Sequence, residues 1–457
     1  MSTTMRPSVL QLKRFLRAAS LRPRAATAAD GRRVGRAIAL CHALLSERGD
    51  VSGARLAREA LAACRGLDES SIDLLFDLLV QQFSPDRLAV DRCAAAYRDD
   101  PSQANLIALQ RAVEPPRQEL FRRLNMAPGG TGLLVDMRAR LLERGIRRPE
   151  WIGIESDLAH LLGSWFNRGF LELRRIDWRT SALVLEKLIH YEAVHEIRGW
   201  HDLHRRLAAD RRCYAFFHPA LPDEPLIFIE VALARGMSSR VQPLLEPDSP
   251  LIDPAAANCA IFYSITNCLK GLRGVSFGNL LIKQVAEDLG REFPRLKSFA
   301  TISPVPGFRA WLVQTAAEHP ALAALMAQLD APGWHDDGDT RWVDLRRGLE
   351  RLCAHYLLQA RHGLEPLDSV ERFHLGNGAR LERINGLADT SPGGLARSAG
   401  IMVNYVYALD AVERNHEAYA REHRVVASRR IEVMARESLL ARSDKRTEHL
   451  RSADPRR

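Results

Sequence analysis

What the chain lacks already narrows what it does. It has no run of about 18 apolar residues, and its richest stretches, such as Leu226 to Leu233, are of strand length, so nothing in it reads as a bilayer span. It has no Cys-x-x-Cys pair: the seven cysteines (Cys41, Cys64, Cys93, Cys213, Cys259, Cys268 and Cys353) are odd in number and widely spaced. That argues against a zinc ribbon and for reduced thiols in a cytoplasmic compartment. Lysine is scarce, 6 residues against 59 arginines, and acidic residues are missing from the first 29 positions, which hold six basic ones. A mitochondrial transit segment shares that composition. Here the arginine bias of the whole chain accounts for it, and Lys13, Arg14 and Arg17 interrupt any apolar signal-peptide core.

What is present suits a folded protein. At 457 residues, with 46% hydrophobic and 26% charged, the chain lies in the globular range and is long enough for two or three domains. Its net charge of +9 favours anionic partners such as phosphates or anionic cofactors, although much of the excess sits at the two ends. From about Asp30 to Phe170 the apolar residues recur at three- and four-residue spacing, as in Val34, Ile38, Cys41, Leu44 and Leu45, and strand signals are missing. Helix starts are expected at Asp68, at Ser84-Pro85 and at Asp100-Pro101, and Ala127-Pro-Gly-Gly-Thr131 marks a break before a helix from Leu133 to Leu142.

At Gly169 the texture changes and strands alternate with helices. Phe170 to Trp178, Cys213 to Phe217, Leu226 to Leu233, Ala260 to Ile265 and Ser298 to Ile302 read as strands. Ser181 to Val194, Trp200 to Leu207 and Gly278 to Leu289 read as helices. Leu226 to Leu233 is apolar on both faces apart from Glu230, so it belongs in the middle of its sheet. The order strand, helix, helix, strand, strand, strand, glycine loop, helix, strand resembles that of the acetyltransferase-type (GNAT) fold. Beyond it, Trp311 to Leu329 and Val343 to His362 look helical, Phe373 to Ala388 has no clear period, and the tail from Ala418 is helix-like but highly charged and is expected to fray or to dock on a partner. The fold class expected is therefore α+β, with an all-helical domain over residues 1–168 and a mixed-sheet domain of GNAT-like order over residues 169–457.

Three segments carry residues suited to chemistry. Cys268 to Lys283 holds three glycines and two bases ahead of a helix, the makings of a phosphate site from turned-in N–H groups and a helix N-terminus, or else a plain glycine-rich connection. Within it Gly274-Val-Ser-Phe-Gly278 matches the G-x-S-x-G elbow of serine hydrolases, with Ser276 as nucleophile, but an elbow turns directly off its strand and about eight residues separate Ile265 from Gly274. Ser303-Pro-Val-Pro-Gly-Phe308 fixes a serine hydroxyl at a strand end, which also suits the mere start of a proline turn. His374, in Phe373-His-Leu-Gly-Asn-Gly378, has an imidazole able to donate or accept near neutral pH, which also suits a structural histidine. His201 and His204 share a polar helix face with no third ligand in view, so no metal site is expected.

These segments, with His218-Pro-Ala-Leu-Pro-Asp-Glu-Pro-Leu, Ile261-Phe-Tyr-Ser-Ile, Gly271-Leu-Arg-Gly-Val-Ser-Phe-Gly278 and Arg383-Ile-Asn followed by Ala388-Asp389, together resemble the malonyl-CoA decarboxylase family. The match runs in order from Ala127-Pro-Gly-Gly-Thr131 to about Tyr407, departing at Gly386, where the family usually has Trp, and at Lys270, often Gln or Pro. The resemblance implies a carboxy-lyase that converts malonyl-CoA to acetyl-CoA and CO2 with no metal or prosthetic group. It implies that Ser303 and His374 are the catalytic pair and that Arg273, Gly274, Val275, Ser276, Phe277, Gly278 and Asn279 hold the CoA part of the substrate. It further implies a homo-oligomer, dimer or tetramer, assembled through the helical domain, with neither nucleic acid nor membrane as partner. The rival classes are an acyl-CoA acyltransferase of the same fold, a serine thioesterase using Ser276, and a basic adaptor without catalysis.

Overall fold

Helical spacing in the first third does produce helices, and their caps explain where they begin. In the computed structural model, which describes residues 28–192, 194–275 and 281–441, eight α-helices precede the first strand among the described residues: Ala28–Ser46, Asp50–Arg65, Glu69–Gln82, Arg87–Asp99, Gln103–Val113, Pro116–Asn125, Gly130–Arg144 and Ile152–Trp165. Asp68 accepts from the Ser71 N–H at 2.9 Å as expected of an N-cap. The next two starts fall slightly later than expected, because Asp86 and Ser102 supply the capping oxygens rather than Ser84 and Asp100. Val34, Ile38, Cys41 and Leu44 are buried along one face of the first helix, and Leu45 is half-buried.

The chain gathers into two compact units, each continuous in space but not in sequence. The helical unit takes the chain up to Leu171 together with His218–Pro222 and Leu269–Phe277; the second unit takes the rest. In the helical unit the ring of His218 lies against Phe166, and its Nε2 is 3.1 Å from the Trp165 carbonyl oxygen.

The second unit is built on a mixed sheet. Its strands are β1 (Glu172–Ile176), β2 (Arg211–Phe217), β3 (Ile227–Ala234), β4 (Cys259–Asn267), β5 (Ser298–Thr301), β6 (Ser303–Pro304), the small pair β7 (Arg361–His362) and β8 (Glu365–Pro366), then β9 (Arg380–Asn385) and β10 (Met402–Val406). The order is β1-β2-β3-β4-β5-β10-β6, with β9 also on β10 and β7 paired only with β8. Neighbours are antiparallel except β4 and β5, which are parallel. A parallel pair needs a crossover, and the helix Leu281–Glu292 supplies it. This α+β architecture has the element order expected from the sequence. All eight residues of β3 are buried, including Glu230, whose Oε2 accepts from Arg206 Nη1 at 2.6 Å.

Three regions depart from expectation. Trp311 to Leu329 is two helices, Phe308–Ala316 and Pro320–Leu329, because Pro320 starts a new helix at its first position. Phe373 to Ala388 divides into the end of the helix Ser369–Gly376 and strand β9. The tail from Ala418 docks on its own unit over the described residues. Its helix Arg429–Arg436 packs on Val343–Gln359 of the same unit and buries Ile431 and Ala435.

Candidate active site

The parallel pair of strands sets up the site by coming apart. β4 and β5 are in register from Cys259 with Ser298 to Phe262 with Thr301, and the Ile302 N–H still reaches the Phe262 carbonyl at 3.0 Å. Beyond that point β4 runs on to Asn267 with only β3 beside it, while Ser303 turns to pair with Val403 of β10. Pro304 cannot donate to a ladder and therefore sits at the end of the short pairing. The turn after it is tied down by side chains, with the Val305 N–H on Ser398 Oγ at 3.2 Å and the Gly307 N–H on Asp368 Oδ2 at 3.4 Å.

His374 arrives at Ser303 from the helix Ser369–Gly376. Asp368 caps that helix, accepting from the N–H groups of Val370 and Glu371 at 2.9 and 3.1 Å. Both candidate residues are buried. Ser303 Oγ lies 2.9 Å from His374 Nε2 and 2.9 Å from Thr301 Oγ1; on the far side of the ring, Nδ1 lies 2.8 Å from the Tyr407 hydroxyl. Tyr405 stacks on the imidazole at 4.5 Å between centroids. Thr301 Oγ1 accepts from the Tyr405 N–H at 3.1 Å and donates to the Val403 carbonyl at 3.5 Å.

Charge decides how these groups share their protons. Burial lowers the His374 pKa from 6.5 to about 3, so the ring is neutral and carries one N–H. This differs from an ordinary imidazole titrating near working pH. Burial also pushes the Tyr407 phenol well up, so it keeps its proton. One arrangement leaves no donor idle: Tyr407 donates to Nδ1, Nε2–H donates to Ser303, Ser303 donates to Thr301, and Thr301 donates to the Val403 carbonyl. Glu371, one turn before His374, is pushed well above the usual carboxylate range by burial, and among the described residues no carboxylate hydrogen-bonds to the ring.

Of the sequence-selected residues, Ser303 and His374 are thus brought into hydrogen-bond contact. Arg273, Gly274 and Val275 lie in the segment that groups with the helices; Ser276, Phe277, Gly278 and Asn279 lie outside the described residues. A 3-10 turn over Lys270–Leu272 separates β4 from Gly274, so the strand does not feed an elbow directly. Thr301, Tyr405 and Tyr407 were not singled out by sequence. The available signal was the spacing of Tyr405 and Tyr407 by two on a short strand run, which puts both rings on one face. Among the described residues no three His, Cys, Asp or Glu side chains gather as metal ligands.

Comparison with known proteins agrees over most of the chain. Residues 83–166 match the malonyl-CoA decarboxylase N-terminal domain and residues 169–447 the malonyl-CoA decarboxylase C-terminal domain. The mitochondrial malonyl-CoA decarboxylase of Anser anser anser is 34% identical over 82% of each chain. That of Mus musculus is 35% identical over 71% of this chain and 72% of its own. Among solved structures, the malonyl-CoA decarboxylase of Rhodopseudomonas palustris is 47% identical with a TM-score of 0.82, covering 87% of this chain and 98% of its own. That of Agrobacterium vitis is 47% identical with a TM-score of 0.81, covering 87% and 99%. With both domain types matched in sequence order and the fold shared at that level, the chain belongs to the malonyl-CoA decarboxylase family.

Proposed function

We propose that the protein decarboxylates malonyl-CoA to acetyl-CoA and CO2, with Ser303 and His374 acting on the malonyl group and residues 273–279 taking the CoA portion. The single observation that carries this reading is the 2.9 Å contact between Ser303 Oγ and a neutral, buried His374 whose other nitrogen is backed by Tyr407. Cleavage of the carbon–carbon bond releases CO2 and leaves its electron pair on the thioester enolate. The site must hold the carboxylate out of the thioester plane, stabilise the developing oxyanion and then deliver a proton to carbon. Ser303 hydrogen-bonds and orients the carboxylate. Backbone donors on the side of β4 away from β3, beyond the end of its pairing with β5, suit the thioester oxygen. His374 gives its Nε2 proton to the carbon while the Tyr407 hydroxyl, hydrogen-bonded to Nδ1, stabilises the ring that has lost it, and solvent then returns a proton to Nε2. One proton is taken from solvent per turnover.

A serine thioesterase is the poorer reading: one using Ser276 lacks an elbow, because a 3-10 turn over Lys270–Leu272 separates β4 from Gly274, and one built on Ser303 and His374 lacks the charge arrangement. A nucleophilic serine needs a histidine able to become charged, which a carboxylate on the far nitrogen normally supports. Here that place is held by a neutral phenol, and burial opposes the imidazolium. The acyltransferase reading calls for an acceptor as well. Incubation of the protein with malonyl-CoA alone tests all three: stoichiometric acetyl-CoA and CO2 are expected, whereas free CoA and malonate, or no reaction without an acceptor, overturns the assignment.

We also infer self-association as a dimer or tetramer through the helical unit. The helices Arg87–Asp99 and Gln103–Val113 contain no buried residue, yet Leu88, Ile107 and Val113 stand exposed on them. Helices of 13 and 11 residues are marginal without an apolar surface to pack on; a second copy of the chain supplies one. The seven cysteines are free thiols, six of them buried, which suits a reducing compartment such as the cytoplasm.

A further inference from the structure

Arg138 stands on the buried face of the helix Gly130–Arg144, in step with Leu134 and Leu141, and its side chain is only 5% exposed. A guanidinium hidden to that degree must find acceptors for its donors. Nε and Nη2 donate to Glu155 Oε1 at 3.0 and 2.8 Å. Nη1 donates to two backbone carbonyls far along the chain, those of Gly271 at 2.7 Å and Arg273 at 2.9 Å. The approach is backbone to backbone: a Cβ on Gly271 would stand 1.9 Å from the Val135 carbonyl oxygen.

The Arg273 carbonyl is the one whose capture has a chemical consequence. Leu272 to Val275 form a turn closed by the Val275 N–H on the Leu272 carbonyl at 3.0 Å. Arg273 has φ −58° and ψ 128°, and Gly274 has φ 78°, which is a type II turn with glycine at its third position. Type I and type II turns differ mainly by rotating the central peptide through about half a turn. That peptide is Arg273–Gly274. In a planar trans peptide the C=O and N–H point in opposite directions, so holding the carbonyl on Arg138 aims the Gly274 N–H away from it. Released to type I, the same peptide would present an oxygen where it had presented a donor.

We propose that Arg138 is a positioning residue for CoA, locking the Arg273–Gly274 peptide in the type II orientation so that the Gly274 N–H is offered to a CoA phosphate. This rests on the reading that the stretch beginning at Arg273 takes the CoA portion. It gives the helical unit a part in substrate binding without a catalytic residue of its own.

Calorimetric titration of the full-length protein with CoA tests it, alongside malonyl-CoA kinetics and a second substrate, malonyl-N-acetylcysteamine, which has no phosphate. Arg138→Met should raise the CoA Kd and the malonyl-CoA KM by about tenfold or more, the usual scale for losing a charge-assisted hydrogen bond, with kcat within about threefold. Its effect on malonyl-N-acetylcysteamine should stay within about twofold. Gly274→Ala, whose Cβ meets nothing within 4 Å but disfavours positive φ, should weaken CoA similarly. The double variant should be no weaker than the worse single one, because both act through one peptide. Arg138→Lys, which keeps a donor for one carbonyl, should recover part of the loss and can replace Arg138→Met in the cycle if the latter fails to fold. A CoA Kd within about twofold of the parent in Arg138→Met, additive losses, or equal losses on both substrates would each overturn the proposal. A parent protein that does not bind CoA would instead overturn the functional reading on which it rests.

Discussion

The Ser303–His374 neighbourhood and the Arg273 turn both follow the end of a strand, yet they are held in opposite ways. In the first, Thr301, Ser303, His374 and Tyr407 pass hydrogen bonds to one another, all are buried, and the backbone of β10 secures both ends of the chain. Its geometry is fixed several times over, so a substitution there removes a chemical group before it disturbs the frame. In the second, one guanidinium holds two carbonyls, so a single change away from any ligand is enough to lose the geometry. The contrast teaches where to look for kcat effects and where to look for KM effects.

The largest expected effect breaks the first region. His374→Asn keeps polarity but cannot supply the proton, and should lower kcat by about 10² to 10⁴ while leaving the CoA Kd within about threefold. Ser303→Ala should fall in the same range; Tyr407→Phe, which removes only the backing donor, should cost about tenfold. Steady-state kinetics and calorimetry check the set, and a His374→Asn enzyme running at the parent rate would assign the proton elsewhere.

A smaller effect sharpens the comparison through stability. His374 titrates at about 3 when folded and near 6.5 when unfolded. Above pH 6.5 both states are neutral and nothing changes. As pH falls from there towards 3 the unfolded chain binds a proton that the folded chain refuses, so stability declines by about 1.4 kcal/mol per pH unit for this one group. His195, lowered to about 4 by its burial, adds to the decline. Denaturant titrations between pH 6.5 and 4.5 should show a slope shallower by about one proton in His374→Asn. An unchanged slope would mean that the ring is not held neutral.

The smallest effect on turnover is expected from the helical unit's exposed hairpin. Leu88→Asp combined with Ile107→Asp should reduce the subunit number measured by light scattering, with kcat within about twofold of the parent. An unchanged particle mass would remove these helices from the interface.

The legible parts of the fold are those whose signal is local. β2, β3 and β4 announce themselves as β-rich runs, and Asp68 as a cap three residues before the N–H it binds. The helix carrying His374 was hidden because it has only eight residues and runs straight into Gly376-Asn-Gly378. The docking of the helix Arg429–Arg436 was hidden because its charged residues mask a buried stripe of Ile431 and Ala435. Ser303 and His374 could be named from their resemblance to a family, but their separation by 71 positions conceals that they touch. Arg138 was concealed by numbers, one arginine among 59. What sets it apart is its place on the apolar stripe of Leu134 and Leu141, where an arginine needs a reason. Gly386 is the reverse case: it stands where the family usually has Trp, and the Glu350 carboxylate fills the space, accepting the Gly386 N–H at 3.1 Å.

The grouping of Leu269–Phe277 with helices that precede it by more than a hundred residues limits how this protein can be divided. A gene cut at the junction near Leu171 would yield a first product whose Arg138 keeps Glu155 but has no carbonyls for Nη1, and a second product whose turn has lost its anchor. The turn and its anchor therefore have to be made as one chain for the Gly274 N–H to keep its direction.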